Sequence, residues 1–161
     1  MRENHEILRA APLLNAAGDL NEPGWASSPL PVYRRADIRA GKLRIKEWDY
    51  YLITDGHIGL ALTISDNGYM GLDSVSFLDF DGKWEQTKSP MRLLPLGKTG
   101  LPESSAEGVS EIARGGYALA FYHEDGARRL SFHMENFLDG DMIEGVVTLT
   151  DAPKQSMVIA T

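Results

Sequence analysis

The sequence predicts an all-β fold: an antiparallel up-and-down meander preceded by an irregular N-terminal segment. Three observations carry this. From Leu43 onward, apolar runs rich in Val, Ile, Tyr and Phe replace an opening punctuated by Pro and Gly. Two-residue turn signals interrupt those runs at Asp55-Gly56, Asn67-Gly68, Asp81-Gly82, Asp125-Gly126 and Asp139-Gly140. Asn-Gly and Asp-Gly favour the type I′ turn, whose twist suits antiparallel hairpins. Glycine is frequent, at 16 of 161 residues, as a fold with many tight turns requires. Meanders with this spacing build barrels and sandwiches.

Taken in order, residues 1–42 read as the irregular segment. Residues 5–11 have the pattern of one or two helical turns, ended by Pro12. Ala17-Gly18-Asp19 and Asn21-Glu22-Pro23-Gly24 are turn chemistry. Pro29 and Pro31 keep Leu30 and Val32 extended. Residues 34–40 read as a short helix, with Gly41 where a C′ residue sits. Residues 43–161 form the β domain, with strands expected at 43–54, 57–66, 69–80, 83–89, 91–96, 109–113, 116–124, 127–135, 142–150 and 155–161. A Gly/Ser/Pro-rich loop over 97–108 divides the meander into a front and a back block. The last strand stops without a polar tail, and a half-built edge strand is a liability. The chain therefore reads as the N-terminal part of a longer protein.

Bulk properties exclude several functions. A composition of 43% hydrophobic and 24% charged residues suits one globular domain, or half of a two-domain chain. The net charge of −7 argues against a nucleic-acid partner, because phosphate binding needs a basic surface. The absence of cysteine removes disulfides, thiolate catalysis and Cys-ligated metal, and fits a reducing, cytoplasmic setting. No apolar run approaches the roughly 20 residues of a membrane helix. The four histidines lack zinc-site spacing, and no serine lies in a Gly-x-Ser-x-Gly elbow. Gly97-Lys98-Thr99-Gly100 resembles the tail of a phosphate loop but lacks the upstream glycine and the following helix. No cofactor and no metal are expected. His57 and His123, beside hairpin tips, and His133, on the minority face of its strand, read as exposed or hydrogen-bonded histidines.

The turns also give a register, because directly opposed residues share a face. With Asp55-Gly56 as a two-residue turn, Tyr51 opposes Leu60, Asp49 opposes Leu62 and Glu47 opposes Ile64. With Asn67-Gly68 as the next, Leu62 opposes Asp73, Leu60 opposes Val75 and Ile58 opposes Phe77. One face then carries Tyr51, Ile53, Ile58, Leu60, Leu62, Ile64, Val75 and Phe77, and should point inward. It also carries Glu47, Asp49 and Asp73. A buried carboxylate costs several kcal/mol unless it is protonated, paired or wetted. Asp49 and Asp73, flanking one strand, lie roughly 10 Å apart, and Glu47 and Asp49 roughly 7 Å, spacings that suit a polar spot in a cavity more than a proton-sharing dyad. The trio is the candidate catalytic set, and Tyr51, Leu60, Leu62, Ile64, Val75 and Phe77 are the candidate ligand-binding set. The competing reading sends this end of the sheet into solvent or pairs the acids structurally.

A family resemblance accompanies these residues. The segments Leu20-Asn21-Glu22-Pro23-Gly24-Trp25-Ala26, Arg44-Ile45-Lys46-Glu47-Trp48-Asp49-Tyr50-Tyr51, Tyr69-Met70-Gly71 with Val75-Ser76-Phe77-Leu78-Asp79-Phe80, and Pro95-Leu96-Gly97-Lys98 with Gly100-Leu101-Pro102 look like the bacterial DUF2804 family. The resemblance runs from about Pro12 to the end, and the segment around Lys46 to Tyr51 is its most specific part. That family has no established activity. It is more distantly similar to the hydroxyneurosporene synthase, tocopherol cyclase and AttH-like group, whose members have two lipocalin-like barrels and handle isoprenoid-type molecules. The resemblance implies a lipocalin-like (calycin-like) barrel or half-open barrel here, with a second, C-terminal barrel as its partner. It carries over no catalytic residue. The expected function is binding of a small, mostly apolar molecule. The alternatives are an acid/base enzyme of hydratase, cyclase or isomerase type acting on such a molecule, and an interaction domain without ligand.

Overall fold

A computed structural model of the chain describes residues 5–124, 126–150 and 156–160. Among them the chain forms thirteen strands: β1 (Ala11–Pro12), β2 (Gly24–Ala26), β3 (Pro31–Val32), β4 (Glu47–Thr54), β5 (Ile58–Asp66), β6 (Met70–Asp79), β7 (Trp84–Lys88), β8 (Met91–Leu93), β9 (Gly108–Arg114), β10 (Tyr117–Glu124), β11 (Ala127–Leu138), β12 (Asp141–Leu149) and β13 (Val158–Ala160). The ten expected strands are all represented, β4 beginning four residues later than expected because a turn, closed by Arg44 N–H on the Gly41 carbonyl, precedes it.

Two antiparallel sheets face each other. The first runs β4-β5-β6-β7, with β8 on the far edge of β6, where Met70–Leu72 continues past β7. The second runs β12-β11-β10-β9. Alternation supplies the core between them: Leu62, Ile64 and Val75 from the first sheet meet Leu119, Phe121, Leu130, Phe132 and Met134 from the second. Full burial of each aliphatic side chain contributes about 1.5–3 kcal/mol. The described ladders do not close into a barrel. Side chains join one pair of edges instead. Gln86 Nε2 donates to the Phe137 carbonyl at 2.8 Å, and Lys88 Nζ to the carbonyls of Glu135 at 2.6 Å and Asn136 at 2.9 Å. Those carbonyls belong to a stretch of β11 that leaves the ladder where its register with β12 shifts.

The first two hairpins differ from expectation. Asp49 opposes Ile64, not Leu62, and Tyr51 opposes Leu62; on the other side Ile64 opposes Asp73, and Leu62 opposes Val75. Each turn is centred one residue later, on Gly56-His57 and Gly68-Tyr69, with the glycine first at φ +94° and +75°. Glycine at the first central position is the type II′ preference. The local cause is visible at the first turn, where Asp55 Oδ1 accepts the amides of His57 and Ile58 at 2.8 and 2.9 Å and so acts as the corner residue. Moving a turn by one residue moves the pairing by two, so every side chain keeps its face. At Asp139-Gly140 both residues have positive φ, +51° and +95°, as the type I′ expectation requires. Glu124 pairs with Ala127 across the Asp125-Gly126 turn, although Asp125 itself lies outside the described residues.

The N-terminal helices do not form. Residues 5–11 are extended: Ile7 N–H donates to the Trp25 carbonyl at 2.7 Å, and Trp25 N–H to that of His5 at 3.0 Å. So short a helix is marginal alone, whereas this pairing buries Ile7 beside Ala26 and Ala160. Residues 34–40 give only a 3-10 turn, Arg35–Asp37, and Ile38 is already extended. Of the final expected strand, Val158–Ala160 pairs antiparallel with Gly24–Ala26; residues 151–155 and 161 lie outside the described residues. Among the described residues no helix is long and apolar enough to cross a membrane.

Candidate functional site

Glu47, Asp49 and Tyr51 occupy alternate positions of β4, so all three turn toward the space between the sheets. At one end of that space an open cleft of about 320 Å³ is lined by Tyr33, Lys46–Asp49, residues 101–105, Ser110 of β9 and His123 of β10. β4 forms one wall, and the second sheet with the loop before β9 forms the other.

The carboxylates meet different fates. Glu47 is compensated: the Tyr33 hydroxyl donates to Oε1 and the Arg35 guanidinium pairs with Oε2. Asp49 is not. Its Oδ2 accepts the Ser110 hydroxyl at 2.8 Å and lies 3.7 Å from His123 Nε2, with the Asp49 side chain 22% exposed and that of His123 2% exposed. Burial holds the His123 pKa below its ordinary value, outweighing the attraction of Asp49, so the ring is neutral at pH 7. Its Nε2 lies 2.5 Å from the Tyr51 hydroxyl, which also accepts Arg128 Nε at 3.2 Å. With Arg128 donating to the phenol oxygen, the phenol proton points to Nε2, which puts the ring proton on Nδ1. Burial first, and the Asp49 charge second, push the Tyr51 pKa up.

Asp73 belongs elsewhere. It is fully buried and takes a bidentate grip from Arg92, Nε to Oδ2 at 2.6 Å and Nη2 to Oδ1 at 2.9 Å, plus the Tyr117 hydroxyl at 2.8 Å. Burial opposes the Arg92 charge, but the Asp73 carboxylate more than offsets it and raises the Arg92 pKa. Burial, together with the hydrogen bond to Asp73, pushes the Tyr117 phenol up to about 12. Arg92 also reaches Thr99 Oγ1, which donates to the buried Asp66, so strands β5, β6, β8 and the following loop share one polar network. The structure thus brings Glu47 and Asp49 to the cleft and ties Asp73 into a buried ion pair away from it.

The candidate ligand-binding set separates likewise. Leu62, Ile64 and Val75 are fully buried against the second sheet, and Leu60 and Phe77 pack on the edge of that core. Phe121 and Phe132 of the second sheet belong to the same core. Tyr51 alone of this set touches the polar group at the cleft, through His123. Ser110, Tyr33 and Arg92 escape the sequence reading. His123, expected as an exposed or hydrogen-bonded residue, is buried and bonded to Tyr51. The signal for its burial is parity: it follows Leu119 and Phe121 on the inner face of β10.

No curated protein and no solved structure matches the chain. The family described as Domain of unknown function (DUF2804) has a model that matches residues 4–161, and the chain belongs to that family.

Proposed function

We propose that this chain binds a small, mostly apolar molecule in the cleft between β4 and the second sheet, with Asp49 orienting its polar end. The observation that carries the reading is the Asp49 carboxylate. It is largely withdrawn from water, at the wall of a cleft of about 320 Å³, and its direct neighbours are a hydroxyl and a neutral imidazole. Ligand sites combine apolar walls with a few placed polar groups, and Leu101, Pro102 and Tyr33 supply the former. The distant resemblance to lipocalin-like proteins that handle isoprenoid-type molecules supports an apolar body. In that reading the two facing sheets act as a half-open barrel, and the ligand sits at its mouth.

A second reading, acid/base catalysis on the same molecule, is favoured by one arrangement. The Tyr51 phenol is hydrogen-bonded to His123 Nε2, and the Asp49 carboxylate lies 3.7 Å from that nitrogen, so an acid, a base and a phenol sit together at the cleft. Asp49 and His123 both line the cleft.

Native mass spectrometry of the purified chain tests the binding reading. The expected result is a co-purifying mass, released by solvent extraction and missing from the Ser104→Trp variant, whose new side chain obstructs the cleft. A spectrum of bare protein for both forms, before and after incubation with lipid extracts, would overturn it.

A further inference from the structure

We infer that the polar end of the cleft's ligand is a protonated amine, held at the Asp49 carboxylate beside the Tyr33 ring. This rests on the cleft being a ligand site and adds the chemical class of what it takes.

Charge compensation points to that class. At the end of the first sheet where the cleft opens, four acidic side chains lie on or beside this face, and three are satisfied internally. Glu47 has Arg35 and Tyr33. Asp73 has Arg92 and Tyr117. Asp66 accepts the amides of Gly68, Gly97 and Thr99 and the Thr99 hydroxyl. Asp49 has Ser110 and a neutral imidazole, and among the described residues no Lys or Arg pairs with it.

The cations near the cleft are committed elsewhere. Lys46 Nζ lies over the Tyr69 ring, 5.9 Å from its centroid. Arg35 pairs with Glu47, while its own amide donates to Glu103 Oε1 at 3.0 Å. Arg128 bonds the Tyr51 phenol and, through Nη2 at 2.7 Å, the Ser105 carbonyl. A carboxylate withdrawn from water without a counter-charge is costly, and an ammonium entering the cleft would supply that charge.

The walls fit the same class. Tyr33 lines the cleft, and an aromatic side chain beside a carboxylate is chemistry that recognises ammonium groups. The net charge of −7 adds a long-range field that draws cations and repels anions.

Three probes of one shape test this: octylamine, octanol and octanoate, titrated into the full chain at pH 7 and followed by isothermal titration calorimetry. Charge-assisted hydrogen bonds are about twice as strong as neutral ones, so octylamine should bind about tenfold more tightly than octanol, with octanoate weakest. Asp49→Asn should erase the preference for amine over octanol. Octanol binding as tightly as octylamine to the wild-type chain, or octanoate binding best, would overturn the amine class while leaving the cleft as a site. Octylamine binding unaltered by Ser104→Trp, or no binding of any probe, would remove the cleft itself and this inference with it. The wild-type series does not depend on any variant folding.

Discussion

The Tyr117 hydroxyl of β10 donates to Asp73 Oδ2 of β6 at 2.8 Å, a hydrogen bond that crosses from one sheet to the other inside the core. Arg92 completes the cluster from β8, so a buried charge pair and one phenol tie three strands together. The cluster sets the terms for stability, and the cleft at Asp49 sets them for the proposed function.

Removing one partner of the buried pair should be severe. Arg92→Met leaves the Asp73 carboxylate uncompensated in the core, and such losses cost about 3–5 kcal/mol. Urea denaturation should show a correspondingly lower midpoint. The double variant Arg92→Met with Asp73→Asn should recover much of the loss, because the stranded charge is gone. Equal destabilisation in single and double variants would contradict this account of the pair.

Tyr117 gives a signature at high pH. Its folded pKa of about 12 stands above the ordinary 10.0. Between those values the unfolded chain has lost a phenol proton that the folded chain keeps. The folded state then binds more protons, so stability is intact below pH 10 and falls as pH rises toward 12. Tyr117→Phe should flatten that fall, and ultraviolet titration of the wild-type chain should show a late-ionising phenol that the variant lacks.

His123 works in the opposite direction. Burial holds its folded pKa below the ordinary 6.5. As pH drops below 6.5 the unfolded chain takes up a proton before the folded chain does, so stability present above 6.5 is lost through the window down to the folded pKa. Imidazole NMR should follow a His123 resonance that titrates below 6.5, and His123→Asn should weaken the acid dependence of the thermal midpoint.

Two glycines test the backbone geometry. Gly68 has φ +75°, and a Cβ there would collide with the Lys42 carbonyl. Gly41 has no positive φ, and a methyl added there would meet nothing within 4 Å. Gly68→Ala should therefore cost more than about 1 kcal/mol, while Gly41→Ala should be neutral or stabilise by about 0.4–1 kcal/mol. Chemical denaturation of the two variants side by side decides it.

These particulars also mark what the sequence discloses. The turn dipeptides locate the hairpins, and period-two alternation identifies the inner face of β4 to β6 even though two turns slip by one residue. A slip of that kind shifts pairing by two and preserves parity, so Glu47 and Asp49 keep their side. Which acids are compensated is not legible. Arg92 reaches Asp73 by pairing of β8 with β6, and Ser110 reaches Asp49 from the opposite sheet; neither contact is local in sequence. The N-terminal helices fail for a related reason: His5 and Ile7 find their backbone partner in Trp25, far along the chain, which no local pattern announces.

If the Asp49 cleft, and not the sheet interior, receives the ligand, amide NMR of the chain titrated with octylamine shows it most directly. Shifts concentrated at residues 46–49, 101–105, Ser110 and His123 are the predicted result. Shifts confined to Leu62, Ile64, Val75 and their partners Leu119 and Phe121, with the Asp49 amide unmoved, would contradict it.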